Sequence, residues 1–235
     1  MKRLVALCTL LFLFGSIAFS NSITPLSPQE IVNKMMDVYA TCNSYMDEGQ
    51  VSTLFIQKNG NRTVNRPFST AFVRPSEFRY EFKDRRGENE WNNYIISMKG
   101  NDVKTFWSIK PDMPNPENLR MAIAGATGIS GGSANTVPGM LMPDVFGYNE
   151  FKMLSQLQLA GEEQVEGAAT YKLEGTDSRG DKVSFWVDKE KLLLLKIYEA
   201  RKIKDFETET TTTYKPSVNI MVATEKLEFK PVNTK

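Results

Sequence analysis

Phe72-Val73-Arg74-Pro75-Ser76-Glu77-Phe78-Arg79-Tyr80-Glu81-Phe82 is the stretch on which the fold turns. Phe78, Tyr80 and Phe82 alternate with Arg79, Glu81 and Lys83, a period of two that puts three aromatic rings on one face of a strand. Phe68 to Val73 is the strand before it. Working outward, Val51, Thr53 and Phe55 alternate with polar neighbours, and Lys58-Asn59-Gly60-Asn61 has the composition of a hairpin turn. On the other side, Arg86-Gly87 turns the chain and Trp91 to Met98 extends it. Lys99-Gly100-Asn101-Asp102 turns it again, and Val103 to Lys110 follows as a further strand. Strands joined in sequence by short turns define an antiparallel meander.

A helix precedes this meander. Ser27 is a good N-cap, Pro28 suits the first helical position, and Glu30 completes a capping box. Ile31, Val32, Met35, Met36, Val38 and Tyr39 then recur at helical spacing and give one apolar face. After the meander, Pro111 to Asn118 carries three prolines. Leu119 to Ala126 reads as a short helix, and Thr127 to Gly139 is rich in glycine, serine and alanine. Val137 to Phe146 adds Met140, Leu141, Met142 and Phe146. A segment both apolar and glycine-rich suits a movable cover or a long loop over one sheet face. Strands resume with Gly161–Glu166, Ala169–Glu174, Lys182–Asp188, Leu192–Ala200 and Asp205–Tyr214, and Lys226–Lys230 reads as a last one. With no internal repeat, linker or second core, residues 21–235 are expected to form one mainly β, α+β domain.

Composition narrows the chemistry. Lys2, Arg3, the apolar run Leu4–Phe14 and the small residues of Ala18-Phe19-Ser20 have the layout of a secretory leader cleaved near Ser20. The run is short for a membrane span. Cys8 lies within it, preceded by Leu7, which does not fit a lipid-attachment site. Once Lys2 and Arg3 are removed, 27 basic residues face 28 acidic ones, so no basic face is available for nucleic acid. Cys42 is the one cysteine left, so no internal disulfide forms. There is no histidine, which removes Ser-His and Cys-His nucleophile pairs and most transition-metal sites.

In order, several segments resemble the LolA-like family of periplasmic lipoprotein carriers. Phe72 to Tyr80 follows that family's Arg-Pro-x-x-Phe strand pair. Gly100-Asn101-Asp102-Val103-Lys104-Thr105-Phe106-Trp107 is similar to the hairpin that follows. Tyr171-Lys172-Leu173, Phe185-Trp186-Val187-Asp188, Tyr214-Lys215-Pro216-Ser217-Val218-Asn219 and Leu227-Glu228-Phe229-Lys230-Pro231 resemble its later strands. The resemblance implies an incomplete antiparallel β-barrel, a half-barrel with a helical lid, and an apolar cavity for acyl chains. It implies that Arg74 hydrogen-bonds the lid closed and that Phe78 stands near the mouth. Tyr80, Trp91, Tyr94, Phe106, Trp107 and Trp186 are then expected to line the cavity, and Met140, Leu141, Met142 and Phe146 to belong to lid and lining. The implied partners are lipoprotein acyl chains or lipids, an inner-membrane donor complex and an outer-membrane acceptor. The protein is expected to be a periplasmic monomer, non-enzymatic, with no cofactor or metal. Related sensor proteins share the half-barrel, so an envelope sensor whose cavity ligand modulates a membrane partner is the alternative.

Other motifs carry less. Gly128-Ile129-Ser130-Gly131-Gly132 has a serine between glycines, but a nucleophile elbow needs a strand, a helix and a histidine. Asp84, Glu88 and Glu90, and Glu162, Glu163 and Glu166, lack calcium-loop spacing and read as solvated turns. Asn61-Arg62-Thr63 is a glycosylation sequon without relevance in a bacterium.

Overall fold

The computed structural model describes residues 25–231, apart from residues 86, 88, 89 and 148. The leader expected over residues 1–20 lies outside the described residues. The first element is α1 (Pro28–Thr41), and its start follows the expected chemistry. The Ser27 hydroxyl accepts from the Glu30 amide, and the Glu30 carboxylate accepts from the Ser27 amide at 2.8 Å. Two amides that a helix start would leave open are thus satisfied together. The helix buries Ile31, Val32, Met35, Met36 and Tyr39.

The first half of the sheet consists of β1 (Ser44–Ile56), β2 (Arg62–Val73), β3 (Glu77–Arg85), β4 (Trp91–Lys99) and β5 (Asp102–Trp107). A helical insert follows: α2 (Leu119–Thr127), α3 (Ser133–Leu141), α4 (Pro143–Phe146) and a 3-10 turn at Glu150–Met153. The second half is β6 (Ser155–Val165), β7 (Ala168–Thr176), β8 (Lys182–Asp188), β9 (Leu194–Ile203) and β10 (Phe206–Tyr214), with a short β11 (Ser217–Val218). All pairings are antiparallel, and the spatial order is β5-β4-β3-β2-β1-β10-β9-β8-β7-β6, with β11 beside β1. The two meanders join where β1 pairs with β10. Among the described residues β5 and β6, the two end strands, do not pair with each other, so the sheet is an open barrel and not a closed one. With one helix and a helical insert on one face, this is the incomplete antiparallel barrel with a helical cover that was expected.

Two expectations at strand ends are corrected. Lys226–Lys230 is not a strand: Thr224–Lys226 is a 3-10 turn and the following residues join no ladder. The reason is where the tail lies: Thr224, Leu227, Glu228 and Phe229 stand around one hollow with Glu77, Ser97 and Lys99 of β3 and β4, over side chains and not along a strand edge. The tail instead leaves the sheet plane, and Arg79 Nε donates to the Glu228 carbonyl at 3.0 Å. The strand expected to reach Lys110 ends at Trp107, where the Lys110 amide donates back to the Trp107 carbonyl.

Register assigns the faces. Gly49 pairs with Tyr214 and with Phe68, Phe68 with Phe82, Phe82 with Tyr94, and Tyr94 with Trp107. These residues share the inner face, which carries α1 and the insert. Tyr45, Phe72, Phe78, Tyr80, Ile96, Leu173, Phe185 and Val187 lie on the same face, and all join one buried cluster with the helices. Gly49 is where this face needs glycine: a Cβ there would lie 2.3 Å from Phe68 Cζ and 2.4 Å from the Thr213 carbonyl oxygen.

Candidate functional site

The insert lies over the inner face as a lid held by few polar anchors. The helices α2 and α3 have nine residues each, too short to persist on propensity alone. Pro138 inside α3 also removes one helical donor. What holds the lid is packing: Leu119, Ala122, Ile123, Ala126, Ala134, Val137, Met140, Leu141, Met142 and Phe146 are all buried in the common cluster. The glycine-rich link between α2 and α3 lies directly on the sheet. Gly131 has φ +69°, and a Cβ on it would stand 2.9 Å from Val51 Cγ1. Only glycine both adopts that backbone and allows that approach.

Arg74 sits at the turn after β2, half-buried, with its guanidinium spread over three carbonyls. Its Nε donates to Cys42 O at 2.7 Å, and its Nη2 donates to Tyr39 O at 3.1 Å and to Leu141 O at 2.9 Å. It therefore joins the end of α1 to the end of α3. A rigid fork of several donors suits this, where a lysine would supply a single point. At the other end of α3, the Tyr80 hydroxyl lies 2.7 Å from Ser133 Oγ, and Ser133 Oγ donates to Ser130 O at 3.0 Å. Both residues are buried, and burial raises the Tyr80 pKa, with the Ser133 hydrogen bond acting the other way.

Beneath the lid a carboxylate is enclosed among tyrosines. Asp47 Oδ2 accepts from the Tyr45 hydroxyl at 2.8 Å, and Oδ1 accepts from the Thr70 amide at 2.8 Å. Burial pushes the Asp47 pKa up to about 6, against the lowering effect of those hydrogen bonds. The Tyr39 hydroxyl accepts from the Leu194 amide and so ties α1 to the second half of the sheet.

The structure brings nine of the twelve candidate residues to the inner side: Arg74, Phe78, Tyr80, Tyr94, Trp107, Met140, Leu141, Met142 and Phe146. It places three elsewhere. Register puts Trp91 and Phe106 on the opposite face with Ile95, since Phe106 pairs with Ile95 and Trp91 follows the same alternation. Trp186 is also on the outer face. Its Nε1 donates to Glu163 Oε2 at 2.8 Å, and the ammonium groups of Lys196 and Lys172 lie over its ring at 4.3 and 5.4 Å. These three are buried or half-buried, but not beneath the lid. Beneath the insert, lid side chains and the rings of the inner face belong to one buried cluster. A hollow of 240 Å³ opens on the outer face, lined by residues such as Lys99, Lys104 and Phe229. Another of 280 Å³ lies around the end of β10 near Lys215 and Asp188.

Residues that sequence reasoning did not single out include Ser133, Asp47, Thr136, Glu150 and Tyr214. Ser130 belongs to the Gly128–Gly132 motif set aside above for want of a histidine, whereas Ser133, in the same run, carried no signal of its own; Thr136 of α3 meets Glu150 of the 3-10 turn and Tyr214 of β10. Among the described residues no helix is long and apolar enough to cross a membrane.

No protein-family model and no curated protein sequence matches the chain. Among solved structures the chain is similar to MucB, with TM-score 0.48 and 13% identity, covering 86% of this chain and 62% of that one. The complex of Pseudomonas aeruginosa MucA and MucB also matches, with TM-score 0.42, 12% identity and coverage of 86% and 61%. The chain thus spans about three fifths of the length of MucB. It is similar to the Mycobacterium tuberculosis lipoprotein LppX, with TM-score 0.44, 11% identity and coverage of 83% and 97%. A LolA superfamily protein from Nitrosomonas europaea has TM-score 0.35, 14% identity and coverage of 87% and 99%.

Proposed function

We propose that the protein is an exported, non-enzymatic carrier that binds acyl chains of lipoproteins or lipids between the inner face and the lid. The observation that carries this reading is the construction of the lid. Ten buried apolar residues of the insert cover an aromatic face, yet among the described residues the polar anchors of α3 are few, with Tyr80–Ser133 at one end and Arg74–Leu141 at the other. An acyl chain entering here takes the place of lid side chains, and each methylene withdrawn from water contributes about 0.8 kcal/mol. The sheet does not need to unfold, since its ladders are independent of the insert. Transfer from an inner-membrane donor to an outer-membrane acceptor is the role this binding would serve.

The test is native mass spectrometry of the protein purified from its own envelope, followed by titration with a fluorescent fatty acid. A stoichiometric acylated ligand, lost when residues 140–146 are deleted, supports the reading. Apo protein that also refuses the fatty acid overturns it.

A second reading is favoured by the lid's outer side. Met121 on α2 is 52% exposed, and Val145 on α4 and Met153 just after it are exposed as well. Apolar groups on a displaceable segment would suit a sensor whose partner affinity changes when ligand moves the lid. A carrier releases its cargo to acceptor membranes, whereas a sensor changes its partner affinity on loading.

A further inference from the structure

The insert closes over an ionisable group. Asp47 stands on the inner face of β1, between Tyr45 and Gly49 in the alternation, and is 3% exposed. Its oxygens accept from the Tyr45 hydroxyl and from the Thr70 amide, both at 2.8 Å. Among the described residues it forms no ion pair. Tyr39 of α1, Tyr45 of β1, Tyr80 of β3 and Tyr214 of β10 face it, and burial raises the pKa of each, so all four stay neutral. Glu48, next on β1, is exposed and of the same sign as an ionised Asp47. Ser133–Leu141, the whole of α3, brings no titratable side chain.

The lid helix is seated on the tyrosines that flank this carboxyl. The strands run β3-β2-β1-β10 in space. Tyr80 shares a cross-strand row with Asp47 through Thr70, and Tyr214 pairs with Gly49. Ser133, at the start of α3, meets the Tyr80 hydroxyl at 2.7 Å, and Thr136, one turn on, meets Tyr214. The first turn of α3 therefore crosses β1 at Asp47 and Gly49. Gly131, just before it, lies against Val51, two inner-face places along β1 from Asp47. On the other side, the Tyr39 ring of α1 stands 5.4 Å from that of Tyr45.

This enclosure suits the acid better than its anion. A carboxylate with two donors and no cation is poorly compensated for lost water. The neutral acid finds an acceptor for its proton, because Thr70 Oγ1 is enclosed beside it and has no other partner. Lifting α3 from Tyr80 and Tyr214 lets water reach the carboxyl, which then gives its proton to the solvent. A group that binds its proton more tightly in one state than in another links pH to the balance between them.

We propose that closure of the lid is proton-linked: the closed lid holds Asp47 as the neutral acid, and loss of that proton favours the lifting of α3. The closed state is then strongest in acid and weakens as pH rises. The linkage concerns the lid with or without a ligand, and so does not rest on the acyl-binding reading. A second carboxyl, Glu150 on the turn that leaves the lid, meets Thr136 and is also shifted upward by burial. It acts in the same direction, and the experiment separates the two.

Amide hydrogen exchange of the purified full-length protein is followed by mass spectrometry at pH 5 and pH 7.5, after correction for the intrinsic pH dependence of exchange. Protection of residues 133–146 is expected to fall about tenfold between the two, the change in opening for a carboxyl that titrates near 6 when covered and near 3.8 when open. Protection in β7–β9 is expected to fall less. Asp47→Asn should abolish the fall and Glu150→Gln should leave it in place. Circular dichroism checks that each variant folds; if Asp47→Asn does not, the wild-type protein and Glu150→Gln decide. Lid protection that is equal at the two pH values overturns the proposal. So does a fall shared equally by β7–β9, which reports unfolding of the whole domain. A fall that persists in Asp47→Asn, or that vanishes in Glu150→Gln, also overturns it, since the titrating group is then not Asp47.

Discussion

Arg74 Nη2 lies 2.9 Å from the carbonyl oxygen of Leu141, so a side chain at the end of β2 closes the last turn of the lid helix α3. The same nitrogen holds Tyr39 O of α1 at 3.1 Å, and Nε holds Cys42 O at 2.7 Å. One guanidinium thereby fixes two helices that have no strand ladder to hold them. Hydrogen bonds from a charged donor contribute ~1.5–3 kcal/mol each, and they are not additive when they share one group. Arg74→Ala is expected to lower stability by about 2–3 kcal/mol and to raise amide exchange in residues 133–146 far more than in β7–β9. Exchange that rises equally everywhere would show that Arg74 supports the whole domain and has no particular relation to the lid.

The opposite end of α3 gives a milder, independent case. Tyr80→Phe removes the hydroxyl facing Ser133 Oγ at 2.7 Å and keeps the ring in its row between Phe68 and Phe82. A loss of about 1 kcal/mol by urea unfolding is expected. Because Tyr80 and Arg74 anchor the same short helix, the loss in Tyr80→Phe should differ by more than ~0.5 kcal/mol when measured in the Arg74→Ala background. Strict additivity would mean that the two ends of α3 open separately.

Period two made the strands legible, and Ser27-Pro28 with Glu30 made α1 legible, because both signals are local. The lid could be read as a segment, since glycine clustering and apolar content are also properties of a stretch. What alternation does not supply is which of two faces a helix will cover. Phe106 and Trp186 are as apolar as Trp107 and Phe185 and were expected to line the cavity, yet they lie buried on the other face. Trp186 becomes buried through lysine stems and Glu163 from neighbouring strands, a contact set by register alone. Lys226–Lys230 alternates like a strand, but the tail lies over side chains of β3 and β4 instead of beside a strand edge, which is a fact about tertiary placement. The convergence of Thr136, Glu150 and Tyr214 depends on three elements far apart in sequence and had no local signal.

Asp47 gives the pH dependence. Burial raises its pKa from the ordinary 3.8 to about 6, so between these values the folded protein keeps a proton that the unfolded chain has released. Stability therefore falls as pH rises through that window, the reverse of a salt-bridged carboxylate. At ~1.4 kcal/mol per pH unit the loss by pH 7 is on the order of 3 kcal/mol. Urea unfolding at intervals from pH 4 to pH 7 should show wild-type stability declining relative to Asp47→Asn, which carries no charge to bury. A difference between the two that is flat across this range would show that Asp47 titrates normally.

Gly131 tests how closely the lid is seated. Its φ of +69° is left-handed, and the Cβ of an alanine would fall 2.9 Å from Val51 Cγ1 on β1. The backbone cost alone is about 1 kcal/mol, and the contact adds to it because Val51 is fully buried. Gly131→Ala is expected to destabilise by about 2 kcal/mol and to increase binding of an apolar dye, since the link between α2 and α3 must rise from the sheet. Val51→Ala removes the clashing methyl but not the backbone strain. In a Gly131→Ala, Val51→Ala double variant, dye binding contributed by the alanine at 131 should therefore shrink while part of the stability loss persists. If the second substitution leaves dye binding undiminished, the lid is lifted by backbone conformation and not by contact with β1. If Gly131→Ala changes neither stability nor dye binding, the glycine-rich link does not seat the lid at all.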